Sequence, residues 1–243
     1  MPCLNLNEIP KRTVLMSATS SKKEHFYNDL KRRILTLDLA PGMDLDEVAL
    51  SKEYEISRTP LRDVLRNLAG EGYLNIRNNR GARVSSMDQR ALRDFFLVAP
   101  MIYAAISRLA AQNARAEQIQ RLEETQQLFV NAVAGDDIQE KVFYNDQFHT
   151  IIGEMADNVF LQPSLRRLLI DHARIAQTFY QPTNDDMLRD LESAVSHHDE
   201  MIEAFRARDE DASAKLANAH WELSRKRIEK FVTPDSFDIA LGK

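Results

Sequence analysis

Arg58, Arg62 and Arg66 recur every fourth residue in the stretch Ser57-Arg58-Thr59-Pro60-Leu61-Arg62-Asp63-Val64-Leu65-Arg66. On a helix that spacing stacks three guanidinium groups along one face. A guanidinium fork can read the acceptor edge of guanine or clamp a phosphate. Leu61, Val64, Leu65 and Leu68 recur at i, i+3, i+4 and i+7, so a separate apolar stripe must pack on something. Pro60 fits the first turn, and Ser57 or Thr59 can cap the exposed amides. A second set of residues able to do chemistry lies downstream. Asn145 and His149 stand at i and i+4, and His198 and His220 fall on two later helical stretches. Three helices that return antiparallel can bring these four side chains together. Three neutral imidazoles and an amide oxygen would hold a divalent transition metal, with Zn²⁺ or Ni²⁺ fitting the donor set. His25, His172 and His197 read as ordinary surface or hydrogen-bonded histidines.

An isolated helix with such arginines would be a solvated basic surface; its flanks change the reading. Upstream, Phe26, Leu30, Ile34 and Leu37 form a helical stripe that ends at Leu39-Ala40-Pro41-Gly42. A short helix from about Asp44 or Asp46 to Tyr54 follows, with Leu45, Val48, Ala49 and Tyr54 as inner positions. Glu55 and Ile56 then give the spacing of a helix-turn-helix. Downstream, Tyr73 to Arg77 alternates apolar and polar residues before Asn78-Asn79-Arg80-Gly81 and Ala82-Arg83-Val84, a hairpin pattern. Arg77, Arg80 and Arg83 have no acidic residue between Gly72 and Val84, so the hairpin reads as a cationic wing.

From Asp88 onward the pattern is helical throughout, with spans near 88–113, 116–134, 137–156, 159–181, 186–207 and 210–231. Asp and Asn at the joints are natural caps. Leu122, Leu128, Phe129 and Val133 recur at helical spacing, as do Leu165, Leu168, Leu169 and Ala173. Six antiparallel helices predict a bundle whose interior is wide enough for a ligand. The fold class is therefore mainly α: an N-terminal winged helix-turn-helix with a small β-hairpin, then a six-helix bundle. The expected divisions are a loose arm over 1–20, the winged domain over 21–86, the bundle over 88–232 and a tail over 233–243.

Composition restricts the function. The chain has 243 residues, 44% of them hydrophobic, which suffices for two cores. The apolar run Phe95 to Ile106 is twelve residues with Pro100 inside it, too short to span a bilayer. The single Cys3 excludes an intramolecular disulfide framework, and no secretion signal is visible, so a cytoplasmic protein is expected. Net charge is −5, yet residues 1–87 carry 14 Lys/Arg against 11 Asp/Glu while residues 88–243 carry 18 against 26. The basic half would meet phosphate, and the modest excess calls for two copies and salt-sensitive binding.

The stretch Pro41-Gly42, Leu45, Ser57 to Arg62, Leu65, Leu68, Glu71-Gly72-Tyr73-Leu74, Arg80-Gly81 and Val84 resembles the DNA-binding domain of GntR-family transcriptional regulators. The resemblance implies operator contacts by Arg58, Thr59, Arg62 and Gly81, with Arg66 and Arg80 as phosphate candidates. Where the family often has Gly in the helix-helix turn, this chain has Glu55. A left-handed Glu there would cost on the order of 1–2 kcal/mol. Asn145-Asp146-Gln147-Phe148-His149, His198-Asp199-Glu200-Met201-Ile202 and His220 resemble the ligand pattern of the FadR-type effector domain. That likeness implies metal ligation by Asn145, His149, His198 and His220, with Asp146 as the competitor of Asn145, and a small carboxylate joining the metal. Ala99 stands where the family commonly has an arginine that grips the effector, so Tyr103 or Arg174 is expected to hold its far end. The resulting expectation is a homodimeric, non-enzymatic regulator on a palindromic duplex operator, controlled by a small organic acid and without membrane attachment. A three-histidine metalloenzyme and a regulator responding to metal alone are the alternatives.

Overall fold

The computed structural model describes residues 18–77 and 81–232. Helix α1 (Ala18–Leu35) takes in residues 18–20, which the sequence had left in the loose arm. Its stripe Phe26, Leu30 and Ile34 is fully buried. Leu37 is not part of that stripe. It lies beyond the helix end in the left-handed region (φ 63°) and is only half-buried, because the chain has already turned toward Pro41. Helix α2 (Glu47–Glu53) starts at Asp46, whose carboxylate accepts from the amides of Val48 and Ala49 at 2.8 and 3.0 Å. That cap sets the helix phase, so Leu50 faces inward while Val48 and Ala49 are exposed, the reverse of the expected inner face.

Glu55 carries the turn in the left-handed region (φ 49°), and Ile56 seals the joint beneath it. Helix α3 (Arg58–Gly70) begins at Ser57, whose hydroxyl makes no cap bond, and buries Leu61, Val64, Leu65 and Leu68. Strands β1 (Leu74–Arg77) and β2 (Gly81–Val84) pair antiparallel from Leu74–Val84 to Arg77–Gly81. The segment before α2 adds a third rung: the Leu45 amide donates to Ala82 O, and Asp44 bridges to Arg83. Leu74 is buried but Ile76 is half-exposed, since the hairpin leaves the core toward its tip.

Helices α4 (Gln89–Asn113), α5 (Ala116–Ala134), α6 (Ile138–Ala156), α7 (Leu161–Phe179), α8 (Asp185–Ala207) and α9 (Glu210–Val232) follow. Each lies within about two residues of its sequence span. The joints are capped by Asp88, Asp137, Asn158, Asn184 and Asp209, whose side chains accept from amides two or three residues on. Helix α4 runs through the bundle with Phe95, Ala99, Tyr103 and Ile106 turned inward; its length and composition alone would also let it cross a membrane. Leu122 and Phe129 of α5 are buried as expected, but Leu128 is exposed on the outer side.

The two domains share one core. Phe26, Leu30 and Leu68 belong to the same buried cluster as Phe129, Val142, Ile170 and Phe179. Ser85 closes the joint, its hydroxyl donating to Gly72 O at 2.6 Å and its carbonyl accepting from Arg174 at 3.1 Å. Replacing Glu55 by Gly should raise the urea midpoint, by an amount equivalent to about 1 kcal/mol of unfolding free energy, because glycine adopts this φ without strain. The exposed Lys22–Glu55 ion pair that is lost contributes little against that. An unchanged or lowered midpoint would mean that the turn is not strained.

Candidate functional site

Burial of the leucine stripe fixes α3 so that Arg58, Thr59, Arg62 and Arg66 all stand at the protein surface. Arg62 pairs through Nε with Glu47 at 3.0 Å, yet its side chain stays 57% exposed. Arg66 lies 3.8 Å from Asp63 and is exposed too. Glu47 also faces the wing: a Cβ on Gly81 (φ 75°) would stand 3.2 Å from Glu47 Oε1. The N-terminus of α2, the arginine face of α3 and the start of β2 therefore meet at one surface. The wing carries less free charge than its sequence implied. Arg83 binds Asp44, its Nε 2.6 Å from Oδ1, so an acid from outside the hairpin offsets it. Arg80 lies outside the described residues.

The second site is interior. His149 on α6, His198 on α8 and His220 on α9 are buried, and their ligating nitrogens lie within 4.8 Å of one another. The rings sit 5.4, 5.2 and 4.7 Å apart for the pairs 149–198, 149–220 and 198–220. Asn145, one turn before His149, is 2% exposed. Asn145 Oδ1, His149 Nε2, His198 Nε2 and His220 Nδ1 all lack a hydrogen-bond partner. Such orphaned buried atoms are rare and call for an explanation. Burial, then the neighbouring histidines, lowers all three imidazole pKa values, that of His220 to about 3. Neutral rings present lone pairs, which is what a metal needs.

One ring is held in a definite tautomer. Gln126 donates its Nε2 to Asp199 Oδ1 and Val195 O, so its Oε1 is left to accept from His198 Nδ1 at 2.9 Å. His198 Nε2 then keeps its lone pair, while Phe148 stacks on the ring at 3.9 Å. Asp146 does not join the histidines. Its carboxyl lines a cleft with Lys31 and Arg32 beside α1, and burial pushes its pKa up to about 6.

A small cavity adjoins His149 and His220. Tyr103, Ser107 and His172 complete its polar wall, and Ile106, Ile152, Leu165, Met201 and Trp221 make the rest mostly apolar. Its free volume is about 10 Å³, room for roughly one water, so the bundle interior is much tighter than its helix count implied. Tyr103 lies in this wall with its hydroxyl 2.8 Å from His172 Nδ1. Arg174 does not. Its fully buried guanidinium turns the other way, to Ser85 O and Asp171, because its position on α7 faces the winged domain. His172, read from sequence as an ordinary histidine, is a cavity residue. No spacing rule could have found it, since its partner is on another helix.

The models of two families match this chain. The one described as "Bacterial regulatory proteins, gntR family" covers residues 22–84, and the FCD domain covers residues 100–223. The chain belongs to the GntR family, with an FCD effector domain. Among curated GntR-type relatives, it is 25% identical over 208 residues to the HTH-type transcriptional repressor RspR of Escherichia coli (strain K12), covering 84% of this chain and 88% of RspR. It is 23% identical over 200 residues to the HTH-type transcriptional regulator YdhC of Bacillus subtilis (strain 168), covering 81% and 86%. E. coli McbR/YncC superposes with a TM-score of 0.69 at 19% identity, over 87% of this chain and 96% of that one, which supports the fold. This GntR-family chain is thus a DNA-binding transcriptional regulator, and not an enzyme.

Gln126→Leu in metal-free protein should lower stability by about 1–3 kcal/mol, since His198 Nδ1 would be left unpaired in the interior. Urea unfolding in the presence of a chelator reads this; an unchanged midpoint would mean that the Gln126–His198 bond contributes nothing.

Proposed function

We propose that this GntR-family regulator binds a palindromic operator as a homodimer, its affinity set by a small organic acid held with a divalent metal in the bundle. The single observation that carries the effector half is the set of four buried, partnerless donor atoms on α6, α8 and α9. Asn145, His149, His198 and His220 would hold the ion, Zn²⁺ or Ni²⁺ by donor type. With no acidic ligand among them, a bound ion keeps its full charge and supplies an attachment point for a carboxylate. Asp146 is disfavoured as a ligand by its position beside Lys31.

The operator half rests on α3. Arg58, Thr59 and Arg62 would reach base edges and Arg66 a phosphate, with Gly81 letting the wing backbone approach. Arg62 must exchange Glu47 for DNA, an exposed pair and so a weak competitor. Two copies on half-sites about one helical turn apart supply the charge that one domain lacks. Such a protein works in the cytoplasm, where its operator is.

Helix α7 is the physical link between the halves. His172 stands in the cavity wall, while Arg174, paired with Asp171 beside it, donates to the carbonyl of Ser85 just before α4. A ligand that displaces Tyr103 and His172 would shift α7 and with it the orientation of the winged domain. It can change operator affinity only by its differential binding to the two orientations. The tight cavity favours a second reading, in which metal alone is the signal.

Arg58→Ala and Arg62→Ala should each abolish the operator gel shift with the melting temperature unchanged; a shift that survives both changes refutes the DNA-reading assignment. His198→Ala should lose bound metal after dialysis, measured by elemental analysis against wild-type protein. Equal metal content in the two would remove the histidine site.

A further inference from the structure

The chemistry of the cavity wall restricts its ligand further than the family does. Resting on the metal-and-acid reading above, we propose that the effector is a short monocarboxylate with an apolar tail, not a dicarboxylate or a polyhydroxylated acid. Among the described residues, no Lys, Arg, Asp or Glu lines the cavity. Ala99, fully buried, offers no charge from α4, and Arg174, which bonds Ser85 and Asp171 through Nη1, is not part of the cavity wall. Only one anionic group can therefore be neutralised, and only at the histidine end.

Beyond that end the wall is Ile106, Ile152, Leu165, Met201 and Trp221. A second carboxylate there would be desolvated without a partner, and several hydroxyls would go unpaired. The Tyr103 hydroxyl is already bonded to His172, and the unpartnered Trp221 Nε1 is a single donor, enough for one ligand oxygen but not for several hydroxyls. Size points the same way. With about 10 Å³ free, a tail enters only where the wall yields, and Met201 is the unbranched, adaptable side chain there. A site built to hydrogen-bond hydroxyls would instead strongly reject analogues that lack them.

The wall contains its own reporter, because Trp221 is the only tryptophan in the chain. Full-length protein loaded with Zn²⁺, its metal content measured, is titrated with three acids of equal chain length: butyrate, succinate and 3,4-dihydroxybutyrate. Butyrate is expected to change Trp221 emission with a Kd at least ten-fold below the other two, and to raise the melting temperature with concentration. Succinate or dihydroxybutyrate binding as tightly as butyrate overturns the proposal. So does the absence of any response in protein that holds its zinc, an outcome that leaves the metal site intact and favours metal alone as the signal. If wild-type protein retains no zinc on dialysis, the metal reading itself fails and the ligand class falls with it.

Discussion

Four polar atoms buried in a helical bundle without a hydrogen-bond partner set the terms for the rest of the molecule. Asn145 Oδ1, His149 Nε2, His198 Nε2 and His220 Nδ1 are each cut off from water. Leaving one polar group so costs about 1–3 kcal/mol, and four together approach the whole net stability of a domain, about 5–15 kcal/mol. A fold can hold such a cluster only if the surrounding packing is strong and if the donors can be satisfied together. Phe148 against His198 and the Gln126 amide at its edge keep the ring from turning to find another partner.

The same packing reaches the DNA-binding half. One buried cluster runs from Phe26 and Leu68 through Ile170 to Phe129, so the winged domain is seated on α7 and α6 rather than tethered beside them. Gly72 lies so close beneath α7 that a Cβ would stand 2.8 Å from Arg167 Cδ, and Ser85 is held by Arg174. Charge is distributed to suit this arrangement. The arginines of α3 are exposed, and their local acids, Glu47 and Asp63, are weak surface partners.

Much of the architecture could be read before any coordinates. Helix boundaries in the bundle were legible because Asp or Asn caps mark every joint but the one at Arg115, a local chemistry that tertiary contacts rarely override. Inner faces were less so. Val48 and Ala49 matched an inward pattern, but the Asp46 cap rotated α2 to bury Leu50 instead. Leu37 matched a stripe from which the chain had already departed, and Leu128 fell on the outer side of α5. Apolar spacing gives a helix its period, while its phase depends on where the first amides are satisfied. The strained turn at Glu55 was legible from one missing glycine, and its φ of 49° bears this out.

Along a single helix, residue type and spacing decided the outcome. Arg58, Arg62 and Arg66 share an exposed side of α3, and Asn145 with His149 share a buried one, because 3.6 residues per turn leaves no other arrangement. Between helices the sequence is silent, since a contact there depends on crossing angle and rotation, which many side chains set jointly. Tertiary structure alone put His172 against Tyr103, turned Arg174 from the cavity to Ser85, sent Asp146 toward Lys31, and matched Arg83 with Asp44. It also closed the cavity to about 10 Å³, a volume that no count of helices could supply.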